Sequence, residues 1–453
     1  MSIDTYPTAT GDISSVSPRR SLPVTGVIAA SLVTGVVNAL VLTLVVFPGA
    51  TEAVITGSML LAAGFGWAMM AVLSVRTTSQ PQRWAAGPAV AMSAAGLALL
   101  VCSPGNATLA SVAWVWPPVV LALVVWMTVS MRRALTGRGR WLLAPVLVVL
   151  AVACFGATTQ NVLLLRDHHA YPAPGRTFEV AGHQLHLDCR GHGGPTVVLF
   201  NGLGEISASW ARITDEVGGT TRVCAYDRAG QGWSEDAAGP QDGVTAAREL
   251  HQLLAEAGEQ GPYVLVGHSI GGPYALTYAA QYPEQVTGMV LLDSSSPEQL
   301  TTIPSYPAQY AMMRRGLALL PTFARLGLGR VFAASDLPGE AGDRVRAMTS
   351  TAHALRNGRD ELSTIPEVFE QAQSLTSLQG HPLVVLTASE SLGTSGWDAA
   401  QDSLAALSTD HDHRVIDSTH AGLVEDEQGS AASVQAVTEV VSAVRTGSSL
   451  ATS

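Results

Sequence analysis

The sequence predicts a chain of two parts: a helical bundle with five membrane spans, then an α/β domain with an eight-stranded, mostly parallel sheet and a helical lid. Two observations support this division. Before residue 165, charge is nearly absent: only eight of the 25 basic residues, all arginine, precede Arg166, and the acids there are Asp4, Asp12 and Glu52. From residue 177 onward, short β-branched runs alternate with longer amphipathic segments. We therefore expect a tail at 1–21, a bundle at 22–165 and an α/β domain at 175–446.

The five predicted spans are the apolar stretches 22–47, 53–75, 85–103, 107–130 and 141–164. Each is close to the roughly 20 residues that a helix needs to cross the hydrocarbon core, and none contains a charged residue. The third is rich in alanine and glycine and is the weakest of the five. A cleaved signal peptide is disfavoured for the first stretch, because it is long and further spans follow. Without ionisable groups inside, the bundle is expected to anchor rather than transport.

Arginine placement predicts the orientation of the bundle. The arginines lie in the tail and in the second and fourth links, whereas the links "PGATE" and "PGNA" carry none; they are Arg19, Arg20, Arg76, Arg83, Arg132, Arg133, Arg138 and Arg140. This alternation is typical of five spans with a cytoplasmic N-terminus. Everything after residue 165 is then expected outside the cell membrane.

The second part carries most of the net charge of -11. A mildly acidic domain without a basic patch argues against nucleic acid as a partner. "TFEVAG" and "HQLHLDC" predict an opening hairpin, and six later runs predict further strands: "PTVVLFNG", "TRVCAYD", "YVLVGHS", "VTGMVLLDS", "PLVVLTAS" and "HRVIDST". Continuous apolar runs are typical of strands buried on both faces of a parallel sheet. The helical segments between them predict a doubly wound α/β layout.

One strand leads directly into a candidate nucleophile. In "YVLVGHSIGGPYAL", the pentapeptide from Gly267 to Gly271 places Ser269 between a strand and a helix, the context in which G-x-S-x-G indicates a nucleophile elbow. The glycines permit a turn in which side chains would clash. The N–H of Ile270 is expected to face a developing oxyanion.

Serine needs a base, and His420 in "STHAG" follows the last predicted strand, which gives the chain order Ser, acid, His. His268 is expected to pack beside the elbow. His411 and His413, like the cluster at 167–169, could ligate a metal, but a solvated loop is the favoured interpretation.

These motifs make the sequence resemble the α/β-hydrolase superfamily, in the branch of serine hydrolases with a "YDRAGxGWS" signature, here "YDRAGQGWSE" at 226–235. "GRTFEVAGHQLHLDCRG", "VVLFNGLGE", "GHSIGG", "VLLDSSSPEQ" and "STHAG" extend the likeness over most of 175–445. The resemblance implies a second oxyanion donor, the N–H of Leu203. Many relatives have His-Gly where this chain has Asn201-Gly202, a change that keeps the backbone donor.

The acid of the triad is open in the sequence. Most of the superfamily carries it after the seventh strand, where this chain has Ser391, with Glu390 and Asp398 nearby. Asp293, at the end of the sixth strand, occupies a position that some members of the superfamily use. We favour Asp293 over Glu390, the alternative being that Asp293 only hydrogen-bonds a loop.

About 85 residues separate the sixth and seventh strands and predict an inserted lid at about 295–379. Its apolar segment "QYAMMRRGLALLPTFARLGLGRVFAA" is expected to be broken at Pro321, and its arginines exclude a membrane span. An amphipathic lid over an apolar pocket is the favoured interpretation, with lipid contact and core packing both open.

The four cysteines are Cys102, Cys154, Cys189 and Cys224. The first two lie in predicted spans and are expected to be packing residues. The strand order of the family that the chain resembles implies that the strands with Cys189 and Cys224 are neighbours. A disulfide between them and two buried thiols are both open, because a register shift of one residue would separate the side chains.

Together these features predict a membrane-anchored serine hydrolase that cleaves an ester or related acyl bond outside the cytoplasmic membrane. Ser269, His420 and Asp293 are the expected triad, and Leu203 and Ile270 the oxyanion donors. No metal or organic cofactor is implied. The expected partners are an acyl substrate, small or lipid-like, and the bilayer, while the oligomeric state is not specified. An amidase or peptidase with the same triad, and a non-catalytic sensor or binding module with this fold, are the alternatives.

Overall fold

A computed structural model describes residues 21–237, 239 and 241–450. The predicted tail with Arg19 and Arg20 lies outside the described residues, apart from Ser21. The N-terminal part is helical throughout: α1 Val24–Val41, continued by a π-helical turn Leu42–Val46, α2 Glu52–Thr77, α3 Ala86–Cys102, α4 Asn106–Val112, α5 Trp116–Ala134 and α6 Gly139–Ala170. Four helices there are long and apolar enough to cross a membrane, or five if the pair α4–α5 counts as one span.

The fourth predicted span is not one straight helix. α4 and α5 meet at an angle of 50°. Pro117 and Pro118 occupy the first turn of α5, where their missing N–H groups cost nothing, whereas inside a continuous helix they would remove hydrogen bonds. The two prolines therefore start a new helix. α6 also extends past the predicted end of the fifth span at residue 164, through Arg166 and Asp167.

The C-terminal part is built on one eight-stranded sheet, as predicted. Its strands are β1 Arg176–Val180, β2 His183–Arg190, β3 Thr196–Phe200, β4 Val223–Asp227, β5 Tyr263–His268, β6 Val286–Leu292, β7 Leu383–Ala388 and β8 His411–Ile416. The strand order is β1-β2-β4-β3-β5-β6-β7-β8. β1 pairs antiparallel with β2 and β2 antiparallel with β4, and the remaining pairs are parallel. The carboxyl ends of β3 to β8 therefore meet at one edge.

Helices cover both faces of this sheet and bury two apolar cores. The helices between and after the strands are α7 Ala211–Gly218, α8 Gly243–Ala257, α9 Gly271–Gln281, α15 Trp397–Ala405, α16 Gly422–Glu425 and α17 Glu427–Thr446. β3, β4, β5 and β7 are buried along their whole length. This burial explains why their sequences are continuous apolar runs.

The insertion between β6 and β7 is helical: α10 Gln299–Thr302, α11 Tyr306–Arg325, α12 Gly329–Phe332, α13 Gly339–Thr349 and α14 Ala352–Ala372. The expected break at Pro321 is wrong, because α11 continues through it to Arg325. Pro321 is buried and lies near the end of the helix, so packing offsets a proline in its last turns. α11 is not among the helices that could cross a membrane.

Cys189 and Cys224 form a disulfide. They lie directly opposite each other in the antiparallel pair β2–β4, so their side chains share one face of the sheet. The one-residue register shift that would have placed the two side chains on opposite faces of the sheet is therefore not present. Cys102 and Cys154 are free thiols.

Candidate active site

The elbow serine lies in a strained turn between β5 and α9. Ser269 has φ +54°, in the left-handed region that non-glycine residues rarely adopt. A Cβ at Gly271 would collide with the Phe200 carbonyl oxygen, and one at Gly272 with the Ser294 hydroxyl. Only glycine fits where the start of α9 crosses the ends of β3 and β6. The turn leaves the Ser269 side chain half-buried at the carboxyl edge of the sheet.

Asp293 directly follows β6 and is fully buried, with φ +41°. Its Oδ1 accepts hydrogen bonds from Trp397 Nε1 at 2.8 Å and from the Ala388 N–H at 3.3 Å. Its Oδ2 accepts the Ser391 hydroxyl at 2.5 Å and lies 2.5 Å from His420 Nδ1. Burial alone would raise the pKa of the Asp293 carboxyl, but His420 and these donors hold that pKa below its ordinary value. The carboxylate is therefore kept ionised beside the imidazole.

His420 lies in the turn between β8 and α16. Its Nδ1 faces Asp293, and its ring centroid is 4.6 Å from that of His268, the residue before Ser269. This places the His420 imidazole beside the elbow. Within the described residues, no hydrogen bond engages the Ser269 hydroxyl. Such contacts are often long in unliganded hydrolytic sites and tighten when substrate binds.

The two alternative acids near β7, Glu390 and Asp398, do not contact the His420 ring. Ser391 stands where an aspartate was expected and donates to Asp293 instead. Glu390 Oε2 accepts the backbone N–H of His420 at 2.9 Å, so it orients the loop rather than the ring. Asp398 is exposed in the first turn of α15. Of the three carboxylates weighed from the sequence, only Asp293 contacts the His420 ring.

Leu203 and Ile270, the two expected oxyanion donors, lie on neighbouring loops. The Cβ position of Gly271 lies 2.8 Å from the Asn201 carbonyl, so the start of α9 packs against the loop that carries Leu203. Neither backbone N–H donates a hydrogen bond within the described part of the chain. Both are free to bind an anionic oxygen.

The side chain of Asn201 is buried and fixes this loop. Its Nδ2 donates to the Tyr226 carbonyl at 2.9 Å and to Gln231 Oε1 at 3.1 Å, and its Oδ1 accepts Trp210 Nε1 at 2.8 Å.

Glu205 was not singled out from the sequence, although it ends the quoted "NGLGE" motif. Its Oε1 lies 2.6 Å from His268 Nδ1, and its Oε2 accepts the Gly202 N–H at 2.5 Å. His268 Nε2 in turn donates to the His420 carbonyl at 2.9 Å. Burial would lower the pKa of His268 and raise that of Glu205, but their mutual attraction reverses both directions. This charged pair ties the loop that carries Leu203 to the segment that carries His420.

The "YDRAGQGWSE" signature forms a buried network behind the site rather than in it. Asp227 Oδ2 lies 2.8 Å from His186 Nδ1, and Asp227 accepts the Ser207 N–H at 2.6 Å and the Ser207 hydroxyl at 3.0 Å. Arg228 pairs with Glu361 of α14 and lies 4.2 Å above the Tyr274 ring. The signature therefore fastens the lid to the sheet.

The candidate metal ligands find other partners. His411 and His413 lie on β8, not in a loop, because that strand begins two residues earlier than predicted. His413 Nδ1 lies 2.8 Å from Asp402 Oδ1. In the cluster at 167–169, Asp167 pairs with Arg330. Within the ranges that the structure describes, the one group of three possible ligands is Cys189, Cys224 and Glu259, of which the first two are joined as a disulfide and the third pairs with Arg222.

Residues 195–356 match the family model described as the alpha/beta hydrolase fold. The C-terminal part therefore has the alpha/beta hydrolase fold. The described helices that precede it are compatible with four or five spans.

Curated proteins match part of this chain. An uncharacterized protein of Schizosaccharomyces pombe is 29% identical over 220 residues, which are 42% of this chain and 40% of the relative. An uncharacterized protein of Mycobacterium bovis is 27% identical over 205 residues, which are 45% of this chain and 54% of the relative. The chain thus spans about half the length of the curated relatives it matches.

A solved structure, the Cif epoxide hydrolase from Acinetobacter nosocomialis, superposes with a TM-score of 0.51 at 16% identity, covering 62% of this chain and 95% of that one. At this identity, the likeness shows a common fold.

Proposed function

We propose that the protein is a membrane-anchored serine hydrolase that cleaves ester or related acyl bonds outside the cytoplasmic membrane. The observation that carries the proposal is the buried, ionised Asp293 held 2.5 Å from His420 Nδ1, next to a serine in a strained elbow. A nucleophile, a base and an orienting acid at one sheet edge form the constellation used in acyl transfer. The match to the hydrolase fold supports the same chemistry.

In this mechanism, His420 takes the proton of the Ser269 hydroxyl as Oγ attacks the acyl carbonyl. The N–H groups of Leu203 and Ile270 stabilise the oxyanion of the tetrahedral intermediate. His420 then gives its proton to the leaving alcohol, which departs as the acyl-enzyme forms. Water, deprotonated by His420, attacks the acyl-enzyme and releases the acid. Asp293 stays ionised throughout and stabilises the charged imidazole.

The proposed location has two supports. The arginines fall in the tail and in alternate links of the predicted bundle, a pattern that favours a cytoplasmic position for these links and the opposite side for the hydrolase domain. The Cys189–Cys224 disulfide suits an oxidising compartment outside the cytoplasm. Protease added to intact cells or spheroplasts should then digest the hydrolase domain, and digestion seen only after lysis would reverse the topology.

A fluorophosphonate probe tests the proposed chemistry. Wild-type protein should be labelled at Ser269, and Ser269→Ala should abolish both labelling and hydrolysis. Ser294→Ala, a change in a neighbouring serine that hydrogen-bonds only backbone carbonyls, is the matched control and should keep labelling. Labelling that survives Ser269→Ala would reject the nucleophile, and a folded wild-type protein that is never labelled would favour a non-catalytic module.

Matched ester and amide substrates of graded acyl length separate an esterase from an amidase or peptidase. We expect faster turnover of the esters.

A further inference from the structure

The lid contacts the N-terminal helices through polar pairs. Arg325, at the end of α11, pairs with the buried Glu52 carboxylate and donates to Asn106 Oδ1 at 3.0 Å. The Thr322 and Thr56 hydroxyls lie 2.9 Å apart. Glu52 precedes the apolar stretch 53–75, and Thr56 lies inside it. The end of α11 therefore contacts the first turns of α2, at the end of the predicted second span that is expected to face away from the cytoplasm.

The segment after α11 lies deeper in the predicted membrane region than the end of α11 does. A Cβ at Gly156 would collide with the Leu326 carbonyl oxygen, and a Cβ at Gly327 would lie 3.1 Å from the Gly156 carbonyl oxygen. Gly156 is eight residues before the end of the apolar stretch 141–164 (164 minus 156), which is about 12 Å along a helix that rises 1.5 Å per residue. Residues 326 and 327 therefore lie well below the outer end of this stretch.

After residue 327 the chain runs along α6 toward the C-terminal end of that helix, which is expected to face away from the cytoplasm. Arg330 Nε donates to Gln160 Oε1 at 3.1 Å, and its guanidinium pairs with Asp167, beyond the apolar stretch. The segment 326–332 thus spans the levels between Gly156 and Asp167. Arg330 directs its charge outward, as a snorkelling arginine does near a membrane surface.

Three other large side chains of this segment are apolar and exposed. Val331 is 76% exposed, Phe332 58% and Leu328 46%. Exposed α6 side chains from the same stretch, such as Phe155 and Val162, are also apolar. A cluster of this kind on a water-facing surface is unusual and marks an interaction site.

We propose that the segment 326–332 is embedded in the outer leaflet of the bilayer, with Leu328, Val331 and Phe332 in contact with acyl chains. The proposal rests on the membrane placement given under Proposed function and adds a second membrane contact, made by the lid of the hydrolase domain. The depth relative to α6 and the outward path of Arg330 favour lipid over a second copy of the chain. The lid is then held at the level of the outer leaflet.

Depth-dependent quenching tests this proposal in the full-length protein. In a Cys102→Ser background, whose remaining free thiol, Cys154, is buried, cysteines are introduced one at a time in place of Val331, Val149 or Val415. Each carries an environment-sensitive fluorophore, with the protein in nanodiscs that contain doxyl-labelled lipid. Val149 is an exposed α6 residue inside the predicted fifth span, and Val415 is an exposed residue of β8. We expect strong loss of fluorescence at 331 and 149 and little loss at 415.

The three labelled positions distinguish the results that would contradict the proposal. Quenching at 149 without quenching at 331 would overturn the lid contact and leave the membrane anchor intact. Absence of quenching at 149 would overturn the membrane placement and the lid contact together. Self-quenching between labels at 331, without lipid quenching there, would indicate a second copy of the chain as the occupant and would also overturn the proposal.

Discussion

The Oδ2 atom of Asp293 lies 2.5 Å from the Nδ1 atom of His420, although 127 residues separate them in the chain. The same carboxylate accepts hydrogen bonds from Ser391, Trp397 and the backbone of Ala388. It is therefore fixed in position and kept charged while it faces the imidazole. Under the proposed mechanism, this contact sets the tautomer and orientation of His420.

The first prediction separates the carboxylates near His420. Asp293→Asn should lower turnover by about 10⁴-fold, because the amide favours the wrong imidazole tautomer. Glu390→Gln should have a much smaller effect, since Glu390 contacts only the backbone of His420. Ester turnover of each variant, with circular dichroism to show folding, is the measurement. A larger loss for Glu390→Gln would reassign the acid.

The second prediction concerns the pH dependence of stability from the Glu205–His268 pair. The pKa of His268 is raised above its ordinary 6.5, so its contribution is fully present below pH 6.5 and is lost as pH rises through the folded pKa. The pKa of Glu205 is lowered below 4.5, so its contribution is present above pH 4.5 and is lost as pH falls. Relative to wild type, Glu205→Gln should be most destabilising between pH 4.5 and 6.5. Thermal unfolding of both proteins over a pH series measures this, and a difference independent of pH would contradict the pairing.

The third prediction concerns the Arg228–Glu361 pair that fastens α14 to the sheet. Both side chains are buried, so Glu361→Gln leaves an unpaired guanidinium and should cost about 3–5 kcal/mol in the free energy of unfolding. Glu370→Gln, at an exposed residue of the same helix, is the matched control and should cost at most about 0.5 kcal/mol. Denaturant unfolding of the detergent-solubilised variants provides the comparison. Equal costs would show that the pair is not buried as described.

The fourth prediction concerns the Cys189–Cys224 disulfide. It closes a loop of 35 residues, which corresponds to about 4 kcal/mol in the chain-entropy treatment. Protein isolated without reductant should therefore yield a linked peptide pair by mass spectrometry, and reductant should lower the apparent Tm. Freely alkylatable thiols at both positions would rule the bridge out.

The central strands of the sheet could be predicted from the sequence because they are buried along their length. β3, β4, β5 and β7 appear as continuous apolar runs bounded by turn residues, a local signal that the tertiary fold preserves. The turn around Ser269 was also predictable from the local sequence, because contacts within the turn and with the adjacent strand ends require the glycines at 267 and 271. Features specified by short-range sterics were therefore predictable.

Features that depend on long-range packing were not. Glu205 gave no separate signal, because its partner His268 is 63 residues away (268 minus 205) and its other contact is a backbone N–H. Trp397 was missed as a donor to Asp293 for the same reason. The continuity of α11 through Pro321 depends on burial of that proline, which local propensity does not encode.

Two ion pairs with buried carboxylates tie α11 and α14 of the lid to other parts of the molecule. Moving α11 away from α2 would separate Arg325 from the buried Glu52 carboxylate, and moving α14 away from the sheet would separate Glu361 from the buried Arg228 guanidinium. Either movement would leave a buried charge unpaired, which is costly. α13 is different: its ion pairs, Arg344–Glu340 and Arg346–Asp343, lie within the helix, and their carboxylates are largely exposed. α13 packs beside the turn at 207–210, which follows the loop that carries Leu203. Displacement of α13 would therefore break no buried ion pair, in contrast to displacement of α11 or α14.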